Sequence, residues 1–218
     1  MLDNLVDLNI GDWVLKARVP EGDGPHPVIL MVHGWTGDER SMWVFAPRLT
    51  RTALLVAMRA PYVSKHPEIG GYSWVAERVD GWSSLDDFAP ALEAFSGLIA
   101  ALPDHLAGDF SRFGLMGFSQ GAAFSFAYSL QNRARVERLA ALAGFMPAGV
   151  GDLSASRPLD GLPVYIAHGT QDETVPIARA REAAELAAAA GAQVATCETD
   201  TGHKIGAQCA RELAEFFK

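Results

Sequence analysis

Five short, continuous apolar runs recur along this chain of 218 residues, and they constrain its fold more than any other feature. The runs cover residues 28–32, 53–58, 113–118, 139–143 and 164–167, and each ends at or near a glycine, a proline or another loop residue. Strands without polar positions are typical of a sheet that is buried on both faces. The runs therefore predict a central sheet with neither face open to solvent.

Longer stretches with helical spacing separate these runs, at residues 86–102, 120–130, 177–190 and 205–217. A repeated order of strand and helix is typical of a parallel sheet with right-handed crossovers. Residues 5–19 mix polar and apolar positions around Gly11-Asp12, which favours a hairpin at the sheet edge. We predict an α/β fold, a mostly parallel twisted sheet with helices on both faces, in one domain over residues 1–218.

Charge and hydropathy exclude several classes of function. The chain has 18 Lys and Arg against 26 Asp and Glu, a net charge of −8, and no basic block that could follow a phosphate backbone. No apolar run approaches the roughly 20 residues that cross a bilayer, and the first residues lack the layout of a signal peptide. We therefore predict a cytoplasmic protein without a nucleic-acid partner and without membrane insertion. Monomer and homodimer both stay open.

The chain has two cysteines, Cys197 and Cys209. Two are too few for a disulfide framework, and they have neither C-x-x-C spacing nor the nearby histidine pair of a metal site. We interpret both as small core or surface residues without a redox or metal-binding role.

A serine lies between two glycines directly after the third apolar run. Gly117-Phe118-Ser119-Gln120-Gly121 fits the G-x-S-x-G pattern of a nucleophile elbow, in which a strand turns sharply into a helix. In such a tight turn, side chains two positions before or after the serine would collide with neighbouring backbone, hence the glycines. The motif predicts Ser119 as a nucleophile.

A serine hydroxyl needs a general base, and the base needs an orienting acid. In chains with this elbow, the acid and then the histidine follow the serine. Asp172 and Glu173 follow the fifth apolar run, and His203 precedes the last helical stretch. The spacing lets each group lie at the carboxyl edge of its own strand, but it does not decide between the two carboxylates.

The other five histidines have structural or surface interpretations. His33 and His168 each precede a glycine at a strand end, where an imidazole can join neighbouring loops by hydrogen bonds. His26, His66 and His105 lie in polar surroundings, which favours surface positions.

Four segments together resemble the α/β-hydrolase superfamily, and within it the group of carboxylesterases, phospholipases and acyl-protein thioesterases. They are His33-Gly34-Trp35-Thr36-Gly37, then Arg59-Ala60-Pro61 with Gly70-Gly71-Tyr72-Ser73-Trp74, the elbow, and His168-Gly169-Thr170-Gln171-Asp172 with Val175-Pro176 ahead of Gly202-His203. The resemblance implies that Asp172, not Glu173, is the acid. It also implies an oxyanion hole made by the backbone amides of Trp35 and Gln120.

Aromatic residues and the short segment 144–162 indicate the shape of the predicted substrate groove. Trp35 stands where similar esterases have a small aliphatic residue, so its ring should lie beside the acyl group. Tyr72 and Trp74 belong to the long aperiodic stretch 61–84, and we predict that they also contact substrate. Residues 144–162, where many superfamily members carry a helical cap, are short and rich in Gly, Pro and Ser, which predicts an open cleft.

These observations predict a serine carboxylesterase that cleaves a small-molecule ester through an acyl-enzyme, with Ser119, His203 and Asp172 as a triad and with no metal or cofactor. Two alternatives are an acyl thioesterase or lysophospholipase and a dienelactone-type hydrolase, whose elbow usually carries cysteine. An alternative from another class is a ligand-binding protein on the same fold, because a fold alone does not dictate activity.

Overall fold

The structure, a computed structural model, describes residues 4–66, 68–77 and 81–218. Within these residues, eight strands form one sheet in the order β1-β2-β4-β3-β7-β8-β9-β10, and β5 and β6 form a separate hairpin. The strands are β1 Leu5–Ile10, β2 Trp13–Arg18, β3 Val28–Val32, β4 Leu54–Met58, β5 Tyr62–Val63, β6 Tyr72–Ser73, β7 Phe113–Phe118, β8 Val136–Leu142, β9 Pro163–Gly169 and β10 Gln193–Thr199. The helices are α1 Leu85–Ala101, α2 Gln120–Gln131, α3 Ile177–Ala189 and α4 Ala207–Phe216.

The predicted fold class is confirmed. Strands β4, β3, β7, β8, β9 and β10 run parallel, and β1 and β2 join antiparallel beside β4 as the predicted edge hairpin. The sequence reading did not identify β10, because most side chains of this strand are exposed and it has no continuous apolar run. It forms the other edge of the sheet, where one neighbouring strand is enough.

Buried side chains alternate between the two faces of the sheet, as strand geometry requires. In β3, Val28, Leu30 and Val32 pack in the core under α1, α2 and α3. Ile29 and Met31, on the opposite face, pack in a second core with residues of α4 and of the 3₁₀ turns at 41–48. The continuous apolar runs therefore supply two cores at once, which explains why they lack polar positions.

Residues 144–162 contain no helix, which agrees with the absence of a cap predicted for this segment. In the long stretch 61–84, the structure has only the short β5–β6 hairpin, while residues 67 and 78–80 lie outside the described residues. Across the described parts of the chain, no helix is both long and apolar enough to span a bilayer.

The interpretation of the cysteines is wrong in one respect, because Cys197 and Cys209 form a disulfide with their Cα atoms 5.6 Å apart. Both side chains are buried, at 5% and 0% exposure. Their spacing of 12 positions has no local signature. The pair arises from tertiary structure, since α4 packs back against β10, and only the fold brings the two sulfur atoms together.

Candidate active site

The elbow is a strained turn between β7 and α2. Ser119 has φ 54° and ψ −119°, a left-handed conformation that costs about 1–3 kcal/mol for a residue with a side chain. A Cβ atom on Gly117 would collide with the carbonyl oxygen of Gly121, and one on Gly121 with that of Val32. The two glycines therefore let the turn close, as their spacing predicts.

Backbone hydrogen bonds hold the elbow in this conformation. The Ser119 amide donates to the carbonyl of Leu142 at the end of β8, at 2.8 Å, and the Ser119 carbonyl accepts from the Ala122 amide at 2.9 Å. Ser119 thus stands at the carboxyl edge of the sheet, half-buried, at the start of α2. That edge is where sheets of this kind place their functional groups.

Asp172 and His203 meet in the loops after β9 and β10. Oδ2 of Asp172 lies 2.7 Å from Nδ1 of His203, while Oδ1 accepts from the amides of Thr174 and Val175, each at 2.9 Å. The Asp172 side chain is fully buried, and that of His203 is 25% exposed. Glu173, the other carboxylate that the spacing allows, is exposed. Asp172 is therefore built to orient an imidazole that reaches the surface.

The His203 ring lies over the elbow. Its centroid is 5.0 Å from the ring centroid of Phe118, the residue before Ser119. Because Asp172 binds Nδ1, the other ring nitrogen, Nε2, is left for proton transfer. The structure thus brings three of the predicted site residues to one edge of the sheet from three separate loops.

The loop after β3 closes the opposite side of the elbow. A Cβ atom on Gly34 would lie 3.1 Å from Cβ of Ser119, so this loop is in van der Waals contact with the serine. Trp35 follows Gly34 and is half-buried, with its ring centroid 5.2 Å from that of His66. Gln120 is the first residue of α2, where backbone N–H groups have no acceptor within the helix.

Gln120 also has a role that the sequence did not indicate. Its side chain is buried, and its Oε1 atom accepts a hydrogen bond from the Trp74 amide at 3.0 Å. This bond joins the elbow to the segment after β6. The residue after the serine therefore fixes the position of a neighbouring loop through its side chain.

Trp74 is not a groove residue, contrary to the prediction. Its side chain has 0% exposure, and its ring lies 4.4 Å from that of Phe124 and 5.4 Å from that of His33, between centroids. Its Nε1 atom donates to the carbonyl of His33 at 2.8 Å. A side chain without exposed surface cannot contact substrate. Trp74 instead supports the loop after β3 from beneath, and we call this loop, residues 33–40, the oxyanion-side loop after the role predicted for the Trp35 amide. Tyr72, on the same segment, is half-exposed, whereas Trp74 lies just beyond the end of β6 and turns into the core.

A partly buried ion pair beside Tyr72 was not predicted from the sequence. Arg59 donates from Nε and Nη2 to the two carboxylate oxygens of Glu39, at 2.8 and 3.2 Å, and from Nη1 to the Tyr72 hydroxyl at 3.1 Å. Glu39 belongs to the loop after β3, and Arg59 follows β4 directly. Opposite charges after two neighbouring strands were the available signal. The pair ties the oxyanion-side loop to β4 and to the β5–β6 hairpin.

His33 and His168 have the structural roles predicted for them. Nε2 of His33 accepts from the Ala60 amide at 2.9 Å, so Nδ1 carries the proton and donates to the carbonyl of Gly34 at 2.7 Å. Burial lowers the pKa of His33 to about 4, which keeps it neutral. Nε2 of His168 donates to the carbonyl of Val175 at 2.7 Å, and burial likewise lowers the pKa of His168.

A cavity of about 750 Å³ lies at the opposite edge of the sheet, where β2 ends and β3 begins. Arg18, Arg51 and His26 line it, and His26 is buried rather than exposed as predicted. No predicted site residue lines this cavity, so it is separate from the elbow.

Comparisons with known proteins agree with this architecture. A family model described as Phospholipase/Carboxylesterase matches residues 16–218, which confirms the resemblance seen in four segments of the sequence. No curated protein shows significant sequence similarity to the chain.

Solved structures are similar over nearly the whole chain. A carboxylesterase from Mesorhizobium loti superposes with a TM-score of 0.80 at 23% identity, covering 98% of each chain. The Bacillus cereus carboxylesterase gives 0.75 at 18% identity over 93% of each chain. A phospholipase/carboxylesterase from Dyadobacter fermentans gives 0.69 at 18% identity, over 94% of this chain and 96% of that one. At such low identity, these similarities establish the fold.

Proposed function

The chain belongs to the phospholipase/carboxylesterase family and is a carboxylic ester hydrolase, and from this premise we propose that it acts through a Ser119–His203–Asp172 triad and an acyl-enzyme. The observation that carries the proposal is the strained Ser119 at the sheet edge, next to Phe118, whose ring packs against that of a histidine oriented by a buried aspartate. The three groups come from three different loops and lie at one edge of the sheet. A nucleophile, a base and an orienting acid need this arrangement, whereas a purely structural role does not.

In the proposed reaction, Oγ of Ser119 attacks the ester carbonyl carbon while Nε2 of His203 takes the hydroxyl proton. Asp172 holds the Nδ1–H and stabilises the imidazolium that forms. The tetrahedral oxyanion accepts hydrogen bonds from the backbone amides of Trp35 and Gln120. His203 then returns the proton to the leaving alcohol, and water releases the acyl group by the same steps in reverse. The mechanism needs side chains, two amides and water.

The surroundings of Ser119 favour substrates that approach from solvent. Trp35 and Tyr72 are half-buried beside the oxyanion-side loop and supply aromatic surface for the acyl or alcohol group. Residues 144–162 form no helical cap over the elbow. An open site of this kind suits small soluble esters. The cytoplasmic location expected from the sequence stays a prediction.

Replacing the nucleophile tests this proposal. In Ser119→Ala, we expect turnover of a nitrophenyl ester to fall by about 10⁴ to 10⁶-fold with the fold intact, because no nucleophile is left. The matched control is Ser129→Ala, which removes another serine of α2 whose hydroxyl bonds the Ser125 carbonyl. The control should keep its turnover. Ser119→Ala with more than a tenth of the activity would reject the nucleophile.

A fluorophosphonate probe separates the proposed enzyme from a ligand-binding protein on the same fold. We expect covalent labelling of the wild-type protein at Ser119, read by mass spectrometry of the labelled peptide. An unlabelled protein that binds esters without hydrolysing them would favour the binding function. Parallel assays on ester, thioester and lactone substrates distinguish carboxylesterase from thioesterase and dienelactone-type activity.

A further inference from the structure

The two cysteines bracket the proposed base symmetrically. Cys197 lies on β10, six positions before His203, and Cys209 lies in the first turn of α4, six positions after it. Their disulfide therefore closes the loop 198–208, which carries His203 at its centre. Both cysteines of the chain are used in the bond that closes this loop.

Non-covalent contacts hold the first half of this loop. The amide of Thr170 donates to the carbonyl of Thr199 at 2.8 Å, and the amide of Gln171 donates to the carbonyl of Thr201 at 3.0 Å. These bonds join the loop to the segment after β9, which also carries Asp172. The residues up to 201 are thereby fixed to the same segment as the proposed acid.

In the second half, where the chain enters α4, the bonds are local: the Thr201 hydroxyl donates to the carbonyl of Lys204 at 3.1 Å, and the Lys204 amide donates to that of Gly202 at 2.7 Å. Gly206 is the N-cap of α4 and provides no side-chain cap, whereas α1 begins with a capping box between Ser84 and Asp87. In the first turn of α4, the Cys209 carbonyl accepts from the Tyr165 hydroxyl at 2.9 Å. The disulfide adds a covalent anchor at the same residue, and it reaches back to β10.

The position of β10 explains why a covalent anchor has a function here. This strand is at the sheet edge and pairs with β9 alone, so one side of it has no strand to restrain it. A cross-link between the two ends of a loop reduces the number of conformations open to the residues between them. A base must be held to about 1 Å, since larger misplacement can cost about 10²-fold in rate.

We propose that the Cys197–Cys209 disulfide, which joins the two ends of the loop that carries His203, positions His203 for proton transfer, so that the oxidised protein is the active form. This inference rests on the proposed role of His203 as the base. Reduction by a dithiol breaks the S–S bond, and two electrons and two protons pass from the dithiol to give two cysteine thiols and a reagent disulfide. The reduced loop keeps its contacts to residues 170–171 but loses the link between its ends.

The inference also bears on where the protein works. Disulfides persist in oxidising compartments and are rare in the reducing cytosol. An active form that depends on this bond therefore favours an oxidising environment over the cytoplasm predicted from the sequence. Burial of both sulfur atoms makes the bond slow to reduce in the folded protein.

The test removes the bond without leaving an odd thiol. In the double variant Cys197→Ala/Cys209→Ala, we expect kcat for a nitrophenyl ester to fall about 10 to 100-fold with KM unchanged, because the base is misplaced but the cleft is intact. The rate of fluorophosphonate labelling at Ser119 should fall in parallel. The matched control is Leu98→Ala, a buried residue of α1 whose loss lowers Tm without touching the loop.

The outcomes separate the two proposals. Wild-type kcat in the double variant, or an equal fall of kcat in Leu98→Ala, would overturn the positioning role while leaving the serine hydrolase intact. A wild-type protein that no fluorophosphonate labels would overturn both. If the double variant does not fold, wild-type protein is treated with dithiothreitol. Free thiols and esterase activity are then measured on the same samples. Activity that falls as two thiols appear, and returns on reoxidation, supports the role, whereas full activity after both thiols appear overturns it.

Discussion

The two sides of the proposed active site lie in different parts of the sheet and are held in different ways. The oxyanion side follows β3, which has strand neighbours on both sides, and His33, Trp74 and the Arg59–Glu39 pair bind its loop from beneath and beside. The base side follows β10 at the edge, and a disulfide closes its loop. In the centre, packing and hydrogen bonds hold the loop, whereas at the edge a disulfide is present in addition to hydrogen bonds.

Two histidines show that the role of a residue depends on its position in the fold as much as on its type. His33 and His203 are both histidines after parallel strands, but one is fully buried and bonded through both ring nitrogens, while the other is 25% exposed and bonded through one. The first can only support its neighbours, because neither nitrogen is free to exchange a proton. The second keeps a nitrogen for chemistry.

Within this comparison, the largest expected effect is a loss of turnover, and it concerns the base side. In Asp172→Asn, turnover should fall by about 10⁴-fold, because the amide no longer stabilises the imidazolium and can hold the ring in the wrong tautomer. Steady-state kinetics on a nitrophenyl ester measure the loss. Glu173→Gln is the matched control next to it in the chain, exposed and expected to keep full turnover. A large loss in Glu173→Gln instead would transfer the role of the acid to Glu173.

The sequence predicts the central strands of the sheet well and the edge strand β10 poorly. The runs at 28–32 and 113–118 match β3 and β7 residue for residue, because strands buried on both faces have no polar positions. β10 escaped notice because an edge strand can expose most of its side chains. Periodicity reports burial, so elements that are only partly buried give a weak signal.

The candidate site divides in the same way. Ser119 and His203 could be selected from a motif and an order of residues along the chain, since their chemistry restricts residue type, whereas the choice of Asp172 over Glu173 came from the resemblance to a family. The Glu39–Arg59 pair, the disulfide and the burial of Trp74 could not. Each depends on which residues from distant segments meet, and a single sequence records residue types but not those contacts.

Acid should destabilise the oxyanion side through His33. Burial lowers the pKa of His33 to about 4, against an ordinary value near 6.5, so between these pH values the unfolded chain binds a proton that the folded protein does not. The free energy of unfolding should therefore fall as pH drops from 6.5 to 4, by about 3 kcal/mol from this group. His168, whose pKa burial also lowers, adds in the same direction.

Urea unfolding at pH 7 and pH 5 measures this dependence. His33→Gln removes the titrating ring, and the difference in unfolding free energy between the two pH values should be smaller than in the wild type. Stability of the variant at pH 7 does not decide the matter, because the slope with pH is the quantity predicted. Equal slopes in both proteins would mean that His33 does not carry the acid sensitivity of this side.

The smallest expected effect concerns the ion pair that holds the oxyanion-side loop. In Glu39→Gln, Arg59 keeps its bond to Tyr72 but loses its buried carboxylate, and we expect a loss of about 2 kcal/mol. This is below the range of about 3–5 kcal/mol for fully buried pairs because the Arg59 side chain is 30% exposed and stays partly hydrated. Glu198→Gln, which breaks the exposed pair with Arg181, should cost less than about 1 kcal/mol. Urea unfolding of both variants at pH 7 measures the two losses of unfolding free energy. Equal losses would mean that the burial of Glu39 does not make its pair with Arg59 more stabilising than the exposed pair.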